Sequence, residues 1–134
     1  MKIHLFGAAT PTGEALHHLA QEDLVGYSRK ASAATGWLHP ADLNNPAGFH
    51  PAGRSAGPAV WISFAPIWLL APFLDRLSSH HPERLQGIRG VIACSSSSSI
   101  TKRFAANRFD RQLVARLTAA EDQLLDACHR LSLP

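Results

Sequence analysis

Apolar residues along this chain alternate between short runs and longer helical stripes. Lys2-Ile3-His4-Leu5-Phe6 is a short β-type run that leads into a loop bounded by Gly7 and Gly13, followed by the helix-forming stretch from Glu14 to Ala20. Leu24-Val25-Gly26-Tyr27-Ser28 predicts a second strand and Trp37-Leu38-His39 a third. The Gly-, Pro- and Asn-rich segment from Asn44 to Gly57 predicts little regular structure beyond one turn, wrapping the sheet edge. Ala59 to Phe64 reads as a buried strand, Ala65-Pro66 as a turn, and Ile67 to Leu77 as a helix. Ser78-Ser79-His80-His81-Pro82-Glu83 reads as a polar turn. Ile88 to Cys94 is a fifth, buried-type strand running into the serines at 95–99. The last element is a helix from about Arg108 to Leu131, with Leu113, Leu117, Ala120, Leu124, Leu125 and Cys128 as its apolar stripe. Strands alternating with helices predict an α/β fold: a parallel sheet with helices on both faces.

The uncharged stretch from Ser55 to Leu74 is long enough to cross a bilayer, and its prolines decide the matter. A spanning helix would have to absorb Pro66 and Pro72, whereas a strand, a turn and a helix accommodate both. We therefore expect no membrane span. With 134 residues, the chain is long enough for one domain and short for a two-domain enzyme. Its 13 Lys and Arg against 10 Asp and Glu give a net charge of +3, but the basic residues are scattered, so nucleic acid is not an expected partner. Cys94 and Cys128 are far apart and read as buried thiols of a reducing compartment; with no signal-peptide pattern, the expected location is the cytoplasm. His17-His18 and His80-His81 are adjacent pairs whose members point in different directions on a helix, so no metal site is expected. No G-x-S-x-G elbow or evident base supports a serine hydrolase.

The first loop carries the clearest chemistry. Gly7, lacking a Cβ, lets the chain turn sharply off the first strand, and Gly13 lets the next helix approach the sheet. Between them, N–H groups at the helix N-terminus can hold a pyrophosphate. Thr10 stands where the middle glycine of a G-x-x-G-x-x-G spacing belongs, which narrows backbone access to a phosphate. The competing reading is an ordinary strand-to-helix turn. Cofactor type is chosen at the end of strand two, where an acidic residue favours NAD and a nearby Arg accommodates the 2′-phosphate of NADP. Here Ser28-Arg29-Lys30 offers a hydroxyl and two cations and no carboxylate, which favours NADP over NAD; the alternative is a pair of solvated loop charges.

Taken in order, the loop at residues 7–13, Tyr27-Ser28-Arg29, Asp42-Leu43, Phe64-Ala65-Pro66 and the serine run resemble the extended and atypical short-chain dehydrogenase/reductases. This is the NAD(P)-dependent epimerase/dehydratase group, which includes nucleoside-diphosphate-sugar epimerases. The resemblance covers nearly the whole chain and rests on the order and spacing of loose motifs. It implies a Rossmann-type three-layer fold, a sheet of about five strands in order 3-2-1-4-5, with NAD(P) across the C-terminal ends of the strands. It also implies that Gly7, Thr10, Pro11, Thr12 and Gly13 face the pyrophosphate and that Arg29 faces the adenosine ribose or its phosphate, beside Ser28 and Lys30, which the end of strand two already offers to the cofactor. Asp42 and Leu43 would face the adenine, and Phe64, Ala65 and Pro66 the nicotinamide-side ribose. Ser95, where strand five ends, is counted on the cofactor side as well.

The catalytic region departs from that pattern. Active members use a Ser or Thr after strand five and Tyr-x-x-x-Lys in the next helix. The Tyr moves a proton to or from the substrate oxygen, the Lys lowers the Tyr pKa, and the Ser holds the substrate for hydride transfer. Ser97 matches the Ser. Aligning Ala119-Ala120-Glu121 with the family's Ala-Ala-Glu puts Leu117 at the Lys position and Leu113 at the Tyr position, and neither moves a proton. Lys102 is a stand-in cation or a solvated loop charge. The sequence stops about where relatives enter a sixth strand and the C-terminal substrate region, so the expectation is a single NAD(P)-binding domain at residues 1–134 lacking that region. A sheet ending at strand five leaves an unpaired edge, which predicts homo-oligomerisation or marginal solubility. Two functions follow: the cofactor half of an epimerase/dehydratase-like oxidoreductase acting on a small molecule, or a non-catalytic dinucleotide sensor or scaffold.

Overall fold

Each short apolar run is extended, and all five runs join one parallel sheet. The computed structural model describes residues 1–29, 36–52, 57–95 and 107–133. The strands are β1 (Lys2–Phe6), β2 (Leu24–Ser28), β3 (Leu38–Pro40), β4 (Ala59–Ser63) and β5 (Ile88–Ala93), ordered β3-β2-β1-β4-β5. The helices among the described residues are α1 (Pro11–Ala20), α2 (Ile67–His80) and α3 (Arg108–Arg130). The architecture is Rossmann-type α/β.

Alternation along the strands sends successive side chains to opposite faces. Leu5, Leu24 and Ile62 meet Leu16 and Ala20 of α1 on one face. Phe6, Tyr27 and Trp61 meet Leu70, Phe73, Leu74 and Leu77 of α2 and Cys128 of α3 on the other. Between β3 and β4 the described chain has one turn of 3₁₀ helix, Pro46–Gly48, and no longer helix. Its core contribution comes from Phe49, which is 2% exposed, with its ring centroid 5.3 Å from Tyr27 and 5.2 Å from Phe73. A single buried aromatic thus anchors the connection 41–52 to the sheet.

Several boundaries differ from the sequence expectation for local reasons. α1 starts at Pro11 rather than Glu14, because proline's fixed φ suits the first helical position and Thr10 caps it. β3 begins at Leu38; Trp37 leaves the strand and stacks on His17, with ring centroids 4.2 Å apart. β4 ends at Ser63, so Phe64 lies in the exit turn. α2 runs through Ser78, Ser79 and His80, which had read as turn; Ser78 Oγ donates to the Asp75 carbonyl and His81 N–H to the Leu77 carbonyl. β5 ends at Ala93, leaving Cys94 outside the ladder and exposed, which corrects its reading as a buried thiol; Cys128 is buried. Leu125 is 59% exposed and does not belong to the apolar stripe of α3. Leu124 already occupies the inward position, and the next residue is turned about 100° away from it. In the β4–β5 ladder Ala59 pairs with Ile88 and Val60 with Gly90, so Arg89 is an extra residue, a bulge on the outer strand.

Candidate functional site

The strand order reverses at β1, whose neighbours β2 and β4 leave the sheet in connections that diverge, and a crevice opens at their C-terminal ends. A cavity of about 440 Å³ occupies it, within the range of small-molecule sites. Its walls come from β1 and the following loop (Phe6, Gly7, Ala9, Thr10) and from the end of β2 (Tyr27, Ser28, Arg29). The loop after β3 adds Ala41, Asp42, Leu43 and Asn44, and the exit of β4 adds Phe64, Ala65, Pro66 and Leu69.

Each wall is fixed by backbone chemistry. Gly7 has φ +67°, and a Cβ there would lie 2.7 Å from the Ala65 nitrogen, so the β1 and β4 exits meet only through glycine. At Gly13, a Cβ would come within 2.1 Å of the Ala8 carbonyl oxygen, so α1 could not sit this close to the loop with a larger residue. The β4 exit is held where Phe64 N–H donates to the Phe6 carbonyl at 3.0 Å and Ala65 N–H to the buried Ser63 hydroxyl at 3.2 Å. After β3, Asp42 closes a tight turn: its carboxylate accepts from Asn44 N–H and its carbonyl from Asn45 N–H, both at 2.9 Å.

Thr10 sits at the head of α1 in extended conformation, and its hydroxyl accepts the Gly13 N–H at 3.0 Å. The hydroxyl therefore satisfies one of the helix's orphan donors itself. Pro11 brings no N–H, so in the first turn Thr12 keeps a donor with no intrahelical acceptor, at the positive end of the helix. Thr10 needs no left-handed backbone at φ −139°, so replacement of the middle glycine costs this loop no strain. Arg29, exposed, also lines the cavity.

Of the residues singled out in the sequence, Gly7, Thr10, Ser28, Arg29, Asp42, Leu43, Phe64, Ala65 and Pro66 line the cavity. Pro11, Thr12 and Gly13 lie behind it in the first turn of α1. Ser95 is not on the cavity wall; its hydroxyl donates to Glu121 of α3 at 2.6 Å. Lys30, Ser97 and Lys102 lie outside the described residues. Leu113 and Leu117 do not line the cavity: Leu117, 1% exposed, packs with Ile67, Ala71 and Ala120, and Leu113 lies against the same cluster. Phe6, Ala9, Tyr27, Ala41, Asn44 and Leu69 are wall residues that sequence reasoning did not assign to the site. Tyr27 could have been found from its place immediately before Ser28; Asn44 and Leu69 carry no motif.

Among the described residues no group of three His, Cys, Asp or Glu side chains could hold a metal, and no helix is long and apolar enough to cross a membrane. No family model, curated protein or solved structure matches this chain.

Proposed function

We propose that the chain is a dinucleotide-binding domain that prefers NADP over NAD, of the kind found in epimerase/dehydratase-like short-chain oxidoreductases. The observation that carries this reading is the cavity at the reversal of strand order, lined by Thr10 at the capped N-terminus of α1 and by Arg29. A pyrophosphate fits a glycine-bounded helix end, where Gly7 and Gly13 let the β4 exit and α1 pack against the loop. Arg29 suits a 2′-phosphate, and no acidic residue of β2 competes for that position. The apolar Leu43, Pro66 and Leu69 suit the faces of an adenine ring. Bound NADP would supply a hydride donor or acceptor; the residues of this chain bind and orient it. The two free cysteines fit a reducing compartment such as the cytoplasm.

One observation favours a second reading, a non-catalytic sensor or scaffold. Leu117 is a packed core residue where the family's Lys would stand, and Leu113 packs beside it. The isolated chain then binds the dinucleotide without turning it over.

Calorimetric titration with NADPH and NADH side by side, repeated on Arg29→Ala, tests the proposal. Tighter NADPH binding that disappears in the variant is expected; absence of binding by either dinucleotide would overturn it. Reductase turnover by the purified chain would eliminate the sensor reading.

A further inference from the structure

Tyr27 has one hydroxyl proton and, among the described residues, two polar neighbours at that oxygen. Ala52 N–H lies 2.9 Å from it and His4 Nδ1 2.8 Å from it. A backbone N–H only donates, so the phenol oxygen accepts from Ala52 and its own proton goes to His4 Nδ1. This arrangement requires neutral His4 with its proton on Nε2. Protonating Nδ1 would aim a second N–H at the same oxygen and leave the phenol proton without an acceptor, in a place where His4 is 7% and Tyr27 1% exposed. The neutral network is satisfied and the charged one is not.

Ala52 is the far end of the connection that starts at Ala41, and Ala41 to Asn44 form one wall of the cavity. The Tyr27 ring lies on the cavity side of the same network and stacks between Phe6 and His4. We propose that His4, Tyr27 and Ala52 form a proton-operated latch: protonation of His4 sets its Nδ1–H against the Ala52 N–H for the phenol oxygen and strands the phenol proton, which weakens the Tyr27–Ala52 bond, loosens the Ala52 end of a connection still held at Phe49 and by Arg84, and so weakens ligand binding at the wall the connection forms. The ligand half of this inference rests on the dinucleotide reading above; the latch half does not.

The surroundings set where the latch works. Burial and the charge of Lys2, which is on the same strand, both lower the His4 pKa from its ordinary 6.5. Among the described residues, β2 presents Tyr27, β3 brings His39 within 6.2 Å of the Tyr27 ring, and β4 pairs His4 with uncharged Trp61. α3 contributes the Cys128 thiol to the same core, and the connection itself carries exposed His50. None of these is a carboxylate that would favour the imidazolium. The latch is therefore closed at neutral pH and opens on acidification.

Two readouts on the full chain test it separately. Histidine ring NMR gives the His4 titration, and hydrogen exchange gives the protection of the Ala52 amide, corrected for the intrinsic pH dependence of exchange. Ala52 protection is expected to fall with His4 protonation by up to about tenfold per pH unit, the limit for one linked proton. His4→Gln, whose side-chain oxygen accepts the Tyr27 proton without titrating, is expected to keep Ala52 protected throughout; Tyr27→Phe is expected to leave it unprotected at every pH. NADP titration at neutral and acid pH should show affinity falling in the wild type by more than in His4→Gln. Ala52 protection that stays flat through the His4 titration, or a His4 that stays neutral until the fold is lost, overturns the latch whatever binds. If NADP binds at no pH while Ala52 still responds, the dinucleotide reading fails and the latch stands. Equal loss of affinity in wild type and His4→Gln overturns the coupling between them.

Discussion

The Thr10 hydroxyl accepts the backbone N–H of Gly13 at 3.0 Å, so the loop residue that precedes α1 also caps it. Removing the cap has a defined cost. Thr10→Ala should destabilise the protein by about 1 kcal/mol in urea unfolding, and Thr10→Gly by only a few tenths. Because glycine also opens the backbone, Thr10→Gly should tighten NADP binding; an unchanged or weaker affinity would show that the ligand does not approach this turn.

Gly13→Ala places a Cβ 2.1 Å from the Ala8 carbonyl oxygen, a backbone atom that cannot swing away. The helix must shift from the loop, and a loss of about 3 kcal/mol or more is expected from such overpacking. Thermal unfolding of the variant checks this. A change in melting temperature within error would mean that α1 sits farther from the loop than described.

Leu117 is buried against Ile67, Ala71 and Ala120. Leu117→Ala should cost about 2–5 kcal/mol by leaving a cavity. Leu117→Lys, which supplies the cation that a short-chain reductase would need, should destabilise the chain through an unpaired buried charge and create no reductase activity. Unfolding and turnover measured on the same preparation test both parts, and a stable, active variant would show that this position faces the cavity.

Two groups give stability a pH dependence of opposite sense. His4 has a lowered pKa in the fold, so the unfolded chain binds its proton more readily; the stability from keeping it neutral is fully present above 6.5 and is lost as pH falls through the folded value. Tyr27 is pushed up from 10.0 to about 12 by burial, against the Ala52 N–H that lowers it. Its contribution is complete below pH 10 and is lost as pH rises towards 12. Denaturant midpoints across pH should fall on both sides, and Tyr27→Phe should remove the alkaline fall.

Arg130 near the end of α3 donates to Asp75 in α2, and Gln123 donates to the second Asp75 oxygen at 3.2 Å. The two charged side chains are 52% and 32% exposed, so solvent screens much of their attraction. A double-mutant cycle of Arg130→Ala and Asp75→Ala should give a coupling of about 0.3–1 kcal/mol that shrinks at high salt.

How much of this was legible in the sequence follows from the range of the interactions. Strand runs such as Ala59 to Ser63 could be read because parallel, doubly covered strands leave uninterrupted apolar segments, and the strand order came with the resemblance to a Rossmann-type family. The boundaries that moved depended on individual contacts: Trp37 leaving β3 to stack on His17, and Ser78 returning its hydroxyl to the Asp75 carbonyl. At the cavity, glycines and charged residues announced themselves by type. Tyr27 stood in the motif before Ser28, but its contacts with Ala52 and His4 were not legible, because those residues are distant in sequence and carry no pattern of their own. Cys94 and Leu125 were misjudged because apolar character says that a side chain tolerates burial, while strand end and helix angle decide whether it is buried.

The central place of β1 also orders the events of folding. Its pairing with β2 needs only the closure of α1 between them, whereas its pairing with β4, from Lys2 with Ala59 to Phe6 with Ser63, waits until everything through residue 58 has been gathered into one loop. Closing that loop carries an entropy cost that no local contact repays in advance, so the β1–β4 seam is expected to form after the β1–β2 pairing. The half built from β1, α1 and β2 can form and dissolve many times before the sheet completes. Phe49, lodged between Tyr27 and Trp61, sits on both sides of that seam and closes it.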